Sequence, residues 1–110
     1  MARLTTPRAV GILTNMKAEL LLSERSPVGE HAFAELVIWR LPRQLPGSAH
    51  SFKYRLAFVV NGVCVIRYDN EAGKGDHRHI GSEETAYALT TVDQLLADFW
   101  ADVDAWENPT

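Results

Sequence analysis

The amino-acid sequence predicts an α+β protein, an antiparallel sheet of about four strands in a hairpin meander that is covered by a C-terminal α-helix. Two observations lead to this fold class. Asn61-Gly62 separates two apolar, β-branched runs, which is typical of a β-hairpin with a type I′ turn. Apolar residues recur at helical spacing in residues 92–106, after all of the predicted strands. Strands followed by a single helix favour the α+β class over an alternating α/β fold.

Length and composition indicate one domain. The chain has 110 residues, 46% hydrophobic and 23% charged, which is the mixture of a globular protein. We expect a single domain at residues 16–107 and an N-terminal extension at residues 1–15, which show no clean hydrophobic period. The only cysteine, Cys64, excludes an internal disulfide, lies in an apolar run and is expected to be an inert core thiol. No apolar run approaches the roughly 18 residues of a membrane helix, and we expect a cytoplasmic protein.

The first two strands are predicted at residues 17–25 and 31–41, on either side of the turn sequence SPVGE. Residues 42–51, PRQLPGSAHS, predict a loop, because proline cannot donate a hydrogen bond to a central ladder. The hairpin strands follow, and a two-residue turn would set their register. The predicted opposite pairs are Val60–Val63, Val59–Cys64, Phe58–Val65, Ala57–Ile66, Leu56–Arg67, Arg55–Tyr68 and Tyr54–Asp69.

The final element is a predicted amphipathic helix. Thr91 and Gln94 have the spacing of a capping box. The apolar stripe, expected to cover the sheet, consists of Val92, Leu95, Leu96, Phe99, Val103 and Trp106. The aspartates fall mainly on the other side. Core packing or partner contact is the expected role of the helix aromatics.

Charge is distributed unevenly along the chain. Residues 90–110 carry five acids and no lysine or arginine, whereas residues 36–80 carry seven Lys or Arg, three acids and three histidines. A polyanion could therefore dock on the middle of the chain and be repelled by its end. Two ordinary solvated surfaces would explain the same pattern.

The segment from Tyr68 to Gly81, YDNEAGKGDHRHIG, concentrates the polar residues. Gly73-Lys74 lacks the upstream glycine and the following Ser or Thr of a nucleotide-binding P-loop, so that site is rejected. The flanking glycines, Gly75 included, still allow the backbone to approach a phosphate closely. If HRHI is extended, His77 and His79 point to one face, roughly 6–7 Å apart.

Two neighbouring histidines could act as base and acid in metal-free RNA cleavage. Lys74 and Arg67 would then stabilise the charge on phosphorus, whereas Arg78 would point away from the histidines in a regular strand. A divalent ion held by His77, His79 and an aspartate is an alternative. A polar turn without chemistry is another. His31 and His50 have no evident partner and are interpreted as incidental.

Three residues at the polar end of the hairpin, Tyr54, Arg55 and Tyr68, could stack on or clamp a nucleic acid. Packing of Arg55 over Tyr68 across the strands is the competing interpretation.

The sequence resembles the TumE family of bacterial toxins from type II toxin–antitoxin systems. The matching segments are KAELL, AELVIWRLP, HSFKYRLAFVVNGVCVIRYDNEAGKGDHRHIG and LLADFWADV, of which RYDNEAGKGDHRH is the most specific. The resemblance implies a small cytoplasmic toxin with a helix-turn-helix antitoxin as partner. By position, the family's polar motif falls on Tyr54, Arg55, Arg67, Asp69, Lys74, Gly75, Asp76, His77, Arg78 and His79.

With the resemblance, the predicted function is that of a toxin acting on RNA. The predicted catalytic residues are His77, His79, Lys74 and Asp76, with Asp69 or Asp76 orienting a histidine. The predicted substrate-binding residues are Tyr54, Arg55, Arg67, Tyr68, Asp69, Gly75 and Arg78. No metal or cofactor is expected. RNA and the antitoxin are the expected partners, and homodimer formation is left open. A non-enzymatic inhibitory module and a metal-dependent hydrolase are the alternatives.

Overall fold

A computed structural model describes residues 17–109, which form six strands and one helix. In chain order these are β1 (Glu19–Pro27), β2 (Ala32–Arg40), β3 (Phe52–Val60), β4 (Val63–Glu71), β5 (Gly75–Ile80), β6 (Glu83–Ala86) and α1 (Val92–Glu107). Each strand pairs antiparallel with its neighbour in sequence, so the sheet has the order β1-β2-β3-β4-β5-β6. The predicted α+β class is confirmed. The predicted N-terminal extension, residues 1–15, lies outside the described residues.

The sheet has six strands rather than about four. β5 contains the HRHI segment, which pairs with β4 along the polar end of the hairpin. β6 is the sequence EETA, four exposed residues that pair with β5. Such a short polar segment has neither the length nor the β-branched content that indicates a strand, and its conformation comes from the pairing itself.

The two faces of the sheet differ. On the helix face, α1 packs over alternate residues of the central strands. The core consists of Ala34, Leu36, Ile38, Tyr54, Leu56, Phe58, Ile66 and Tyr68 from the sheet and Leu95, Phe99 and Val103 from the helix. We call the opposite side of the sheet the second face. Because side chains alternate along a strand, each strand divides its residues between these two faces.

The predicted register of the β3–β4 hairpin is correct only next to the turn. Val60 pairs with Val63 and Val59 with Cys64, as the two-residue turn requires. The register then shifts by one at Val65, and Phe58 pairs with Ile66. This extra residue is a β-bulge. Beyond it every predicted pair is wrong by one residue, so that Arg55 lies opposite Asp69 and Leu56 opposite Tyr68.

Two side chains, one expected in the core and one expected to cover the sheet or contact a partner, are exposed. Cys64 lies next to the hairpin turn and is exposed, which corrects its interpretation as a core thiol. Trp106 is 40% exposed, since α1 extends beyond the part that contacts the sheet through Leu95, Phe99 and Val103.

The helix begins as the sequence indicates. Gln94 N–H donates to Thr91 Oγ1 at 3.0 Å, which satisfies one of the unpaired amides of the first turn. The side chain of Gln94 donates to Asp98 instead of returning to the cap, so only half of the capping box forms. No helix within residues 17–109 has the length and apolar character needed to cross a membrane.

Candidate functional site

Strand alternation divides the predicted site residues between the two faces of the sheet. Along β5, Gly75, His77 and His79 lie on the second face, and Asp76 and Arg78 lie on the helix face. In β4, Asp69 pairs with His77 and Arg67 pairs with His79, so these two residues also belong to the second face. The structure thus brings only part of the predicted site together.

The second face holds a cluster of titratable side chains around the two histidines. We call it the histidine cluster, and it lines a cavity of about 190 Å³. Its members are Arg67, Asp69, Glu71, Lys74, His77, His79 and Glu84. The ring centroids of His77 and His79 are 6.5 Å apart, as the strand geometry predicts.

Glu84, on β6, is the carboxylate that contacts the histidines. Its Oε2 lies 2.8 Å from Nδ1 of His77 and 3.8 Å from Nε2 of His79. The contact requires Nδ1 of His77 to carry a proton, which leaves a lone pair on Nε2 of the neutral ring. Glu84 is not among the predicted site residues, because it lies on β6, a strand that the sequence does not indicate.

Arg67 selects the tautomer of the neutral His79 ring. Its Nη2 lies 3.0 Å from Nε2 of His79. A guanidinium group can only donate, so Nε2 of His79 is the acceptor and the neutral ring carries its proton on Nδ1. The two histidines are therefore held in different tautomers by different neighbours.

Two polar atoms of the cluster are buried without a hydrogen-bond partner among residues 17–109, Nε of Arg67 and Nε2 of His77. Nε of Arg67 lies 3.2 Å from Oδ2 of Asp69, close enough for an ion pair although the N–H direction does not fit a hydrogen bond. Nε2 of His77 has no such compensation. Buried polar atoms without partners are uncommon, and a catalytic role or a bound water is among the explanations for them.

The cations around the cluster differ in how firmly they are held. Lys74 lies 3.4 Å from Glu71, in a pair whose side chains are 67% and 56% exposed, so solvent weakens the attraction. Arg55 lies on the second face opposite Asp69 and is exposed, and residues 17–109 give its side chain no ion pair or hydrogen bond. Lys53 donates to the backbone carbonyl of Asn70 at 2.6 Å.

Arg78 connects β5 to the helix. Its Nε and Nη2 donate to the Asp102 carboxylate at 2.9 and 3.0 Å, and its Nε also donates to the Tyr68 hydroxyl. That hydroxyl in turn donates a very short hydrogen bond to Asp102. The bonds to Asp102 raise the pKa of Arg78 above its ordinary value, although burial acts against them. Arg78 is thus directed away from the histidines, as strand alternation predicts.

Asp76, an expected catalytic residue, lies on the helix face. Its carboxylate hydrogen-bonds to other residues there and contacts neither His77 nor His79 among its hydrogen bonds. Its Oδ1 accepts from His50 Nε2 and from the Tyr54 hydroxyl, each at 2.8 Å. Its Oδ2 accepts from the backbone N–H of Leu89 at 3.1 Å. His50, interpreted as incidental, therefore has a specific partner. That partner is 26 residues away in sequence, so local spacing could not reveal it.

The expected stacking platform is absent from the second face. Tyr54 and Tyr68 are each 1% exposed beneath the helix, so a nucleic-acid base cannot stack on them. Burial, followed by hydrogen bonds to Asp76 and Asp102, raises the pKa of both phenols. The alternative packing of Arg55 over Tyr68 does not form either, because the bulge places these residues on opposite faces.

The metal alternative has little geometric support in the described residues. Within residues 17–109, no group of three His, Cys, Asp or Glu side chains is arranged to hold a metal ion. Asp76 is on the other face, and Asp69 is held by Arg67.

The fold and the histidine cluster define a small α+β protein whose polar site lies across the sheet from an acidic helix. Comparison with protein families matches residues 16–107 to the family described as Toxin TumE. The chain belongs to the TumE toxin family, as its sequence resemblance implies. It is therefore the toxin component of a toxin–antitoxin module, and an antitoxin is its partner. No curated protein and no solved structure matches the chain.

Proposed function

We propose that this toxin cleaves RNA by metal-independent acid–base chemistry at the histidine cluster. The observation that carries the proposal is the position of His77 and His79, which share a cavity with Arg67 and Lys74. Histidines exchange protons near neutral pH, and guanidinium and ammonium groups bind phosphate. These are the groups that metal-free cleavage of a phosphodiester requires.

His77 is the base in this scheme. Glu84 orients its ring through Nδ1 and would stabilise the imidazolium that forms when Nε2 takes a proton. Nε2 is shielded from solvent in the free protein. Binding of RNA must therefore rearrange the cluster, and the exposed Lys74–Glu71 pair is the part that moves at least cost.

His79 is the acid, and Arg67 controls when it acts. In the free protein the guanidinium of Arg67 occupies Nε2 of His79. A phosphate group competes for that guanidinium, because a charge-assisted hydrogen bond to phosphate is stronger than one to a neutral ring. Once Arg67 binds phosphate, His79 is free to take up a proton from solvent.

The proposed reaction balances without a cofactor. The ribose 2′-hydroxyl gives its proton to Nε2 of His77, and its oxygen forms a bond to phosphorus. The bond between phosphorus and the 5′-oxygen breaks, and that oxygen receives the proton of His79. The products are a 2′,3′-cyclic phosphate and a free 5′-hydroxyl, after which the histidines exchange protons with solvent.

The distribution of charge favours approach of RNA to the second face. Five acids lie on α1 or beside its ends, and α1 covers the helix face. The exposed guanidinium of Arg55 lies on the second face, across β4 from His77. Three carboxylates, Asp69, Glu71 and Glu84, also line the histidine cluster, so the preference comes from the contrast between the two faces. A polyanion is repelled by the acidic helix and meets Arg55, Arg67 and Lys74 on the second face.

The proposal extends to partners and place of action. The chemistry of the histidine cluster makes RNA the proposed target. The family resemblance implies a helix-turn-helix antitoxin and action in the cytoplasm.

The test uses purified protein and a defined single-stranded RNA, with and without a metal chelator. His77→Gln and His79→Gln are the variants, and His31→Gln is the matched control, because His31 is exposed in the β1–β2 turn. We expect cleavage that survives chelation, cyclic-phosphate ends, and loss of cleavage by about 10²-fold or more in either cluster variant.

Other results would overturn the proposal in distinguishable ways. Cleavage abolished by the chelator would indicate a metal-dependent hydrolase. Intact RNA, together with growth arrest on expression of both the wild type and the histidine variants, would indicate a toxin that inhibits by binding alone.

A further inference from the structure

His50, Asp76 and Tyr54 form a buried hydrogen-bonded group on the helix face. Asp76 is the residue before His77 in β5. The side chains of His50 and Asp76 are only 11% and 12% exposed. The Asp76 carboxylate receives three donors, from His50, from Tyr54 and from the backbone of Leu89. Burial would raise the pKa of Asp76, but these bonds outweigh it and lower the pKa below its ordinary value.

His50 is held in one tautomer and one orientation. The backbone N–H of Phe52 donates to its Nδ1 at 3.0 Å. Nε2 must then carry the proton, which it donates to Asp76. Both ring nitrogens are therefore used, one by the start of β3 and the other by the start of β5.

The loop that carries His50 also packs against the turn that carries Lys74. Gly73 N–H donates to the carbonyl of Pro46 at 2.6 Å. A Cβ atom at Gly47 would lie 3.0 Å from the carbonyl carbon of Gly73, and one at Gly75 would lie 3.3 Å from the carbonyl oxygen of Gly47. The two backbone segments are in close contact here. Glycine suits both positions, because a Cβ atom would be tightly packed and φ is +83° at Gly47 and +78° at Gly75.

We propose that His50 is a positioning residue for the histidine cluster. Through Asp76 it fixes the start of β5, and through its loop it supports the β4–β5 turn, so that Lys74 and His77 are held in place on the second face. The inference rests on the proposed function for its effect on RNA, but the positions of Lys74 and His77 can be tested without any activity.

The placement of His50 distinguishes it from an ordinary core residue. Its ring lies outside the hydrophobic core, and within residues 17–109 the hydrogen bonds of the ring reach the beginning of β3 and the beginning of β5. Loss of its ring should therefore act on the segment 73–77 rather than on the sheet as a whole. A misplacement of about 1 Å in a catalytic group can cost about a hundredfold in rate.

The test compares His50→Gln with His31→Gln in NMR spectra of the full chain. We expect His50→Gln to shift the backbone amide signals of Lys74 and Gly75 and the ring signals of His77, and to leave β1 and β2 unchanged. His31→Gln should leave the Lys74 and Gly75 amide signals and the His77 ring signals unchanged. In the wild type, the nitrogen shifts of the His50 ring should show the Nε2–H tautomer.

RNA cleavage supplies the second readout. With both proteins folded, we expect His50→Gln to lower kcat by about tenfold or more while KM changes little, because positioning affects the reaction rather than binding. The double variant with Asp76→Asn should lose less than the product of the two single losses, since both changes weaken the hydrogen bond between His50 and Asp76.

The proposal is overturned if folded His50→Gln leaves the Lys74, Gly75 and His77 signals at their wild-type positions. If those signals shift but the wild type does not cleave RNA, the positioning role stands and the proposed function fails. Should His50→Gln not fold, Gly47→Ala disturbs the same packing from the loop side, and wild-type signals in that variant would equally overturn the proposal.

Discussion

Arg67 and His79 are joined across β4 and β5 by a hydrogen bond of 3.0 Å from the guanidinium Nη2 to the ring Nε2. In the proposed mechanism, this contact joins the residue that would bind phosphate to the residue that would give up a proton. A cation usually takes part in phosphodiester cleavage by neutralising charge alone. Here the same cation would also release the acid when the substrate arrives.

The first prediction concerns Arg67. Replacement of Arg67 by alanine removes a phosphate contact and the link to His79, so we expect kcat/KM for RNA cleavage to fall by about 10²-fold. Arg40→Ala is the matched control, because Arg40 is exposed and paired with Glu19 at 2.9 Å, remote from the cluster. Cleavage kinetics at several salt concentrations provide the measurement, and equal losses in both variants would contradict the role of Arg67.

Glu84 is the subject of the second prediction. Its carboxylate contacts Nδ1 of His77, and the amide of Glu84→Gln cannot stabilise an imidazolium in the same way. We expect a loss of cleavage of about tenfold or more. Glu83→Gln is a stringent control, because it changes the neighbouring residue of the same strand, which lies on the other face. A wild-type rate in Glu84→Gln would remove Glu84 from the mechanism.

The ion pair between Arg78 and Asp102 should contribute to stability rather than to activity. Asp102→Ala leaves a partly buried guanidinium without its carboxylate, and we expect the free energy of unfolding to fall by about 1–3 kcal/mol. Denaturant titration measures this change. Glu107→Ala, at the exposed end of the same helix, should cost less than about 0.5 kcal/mol. Activity per folded molecule should be unaffected in both variants.

Asp76 should make stability depend on acid pH. Its pKa is lowered in the folded protein from a reference value of 3.8, so the unfolded chain binds the proton more readily. The stability that Asp76 contributes is therefore present above that reference value and is lost as the pH falls through the lower pKa of the folded state. Unfolding free energies of the wild type and Asp76→Asn should converge as the pH falls from above 3.8 through the lower pKa of the folded state. A constant difference over that interval would contradict this account.

The hairpin and the helix could be predicted from the sequence, because each depends on residues that are close together along the chain. Asn61-Gly62 predicts the hairpin because both residues accept the backbone angles of its turn, and φ is +50° and +80° there. The helix stripe predicts the buried set Leu95, Phe99 and Val103 because its period is set by the helix alone.

The features that escaped prediction depend on residues distant in sequence. The bulge at Val65 lies in the run VCVI, where every residue is apolar and no register is marked. β6 forms through its pairing with β5 and is not marked by its own residues. Glu84 lies on this strand and could therefore not be predicted as a site residue. The bond from His50 to Asp76 joins a loop to a strand across β3 and β4, and no periodicity connects them.

The meander order of the sheet also bears on how the protein folds. Every strand pairs with its neighbour in sequence, so most pairings close short loops and the mean sequence separation between contacting strands is small. Folding can therefore advance hairpin by hairpin, at rates faster than those of sheets with distant pairings. The apolar side of the growing sheet stays exposed to water until α1 has been synthesised. In the cell, the core is therefore complete only when α1 packs on the sheet. Before that point, the nascent chain exposes an apolar surface that chaperones would bind.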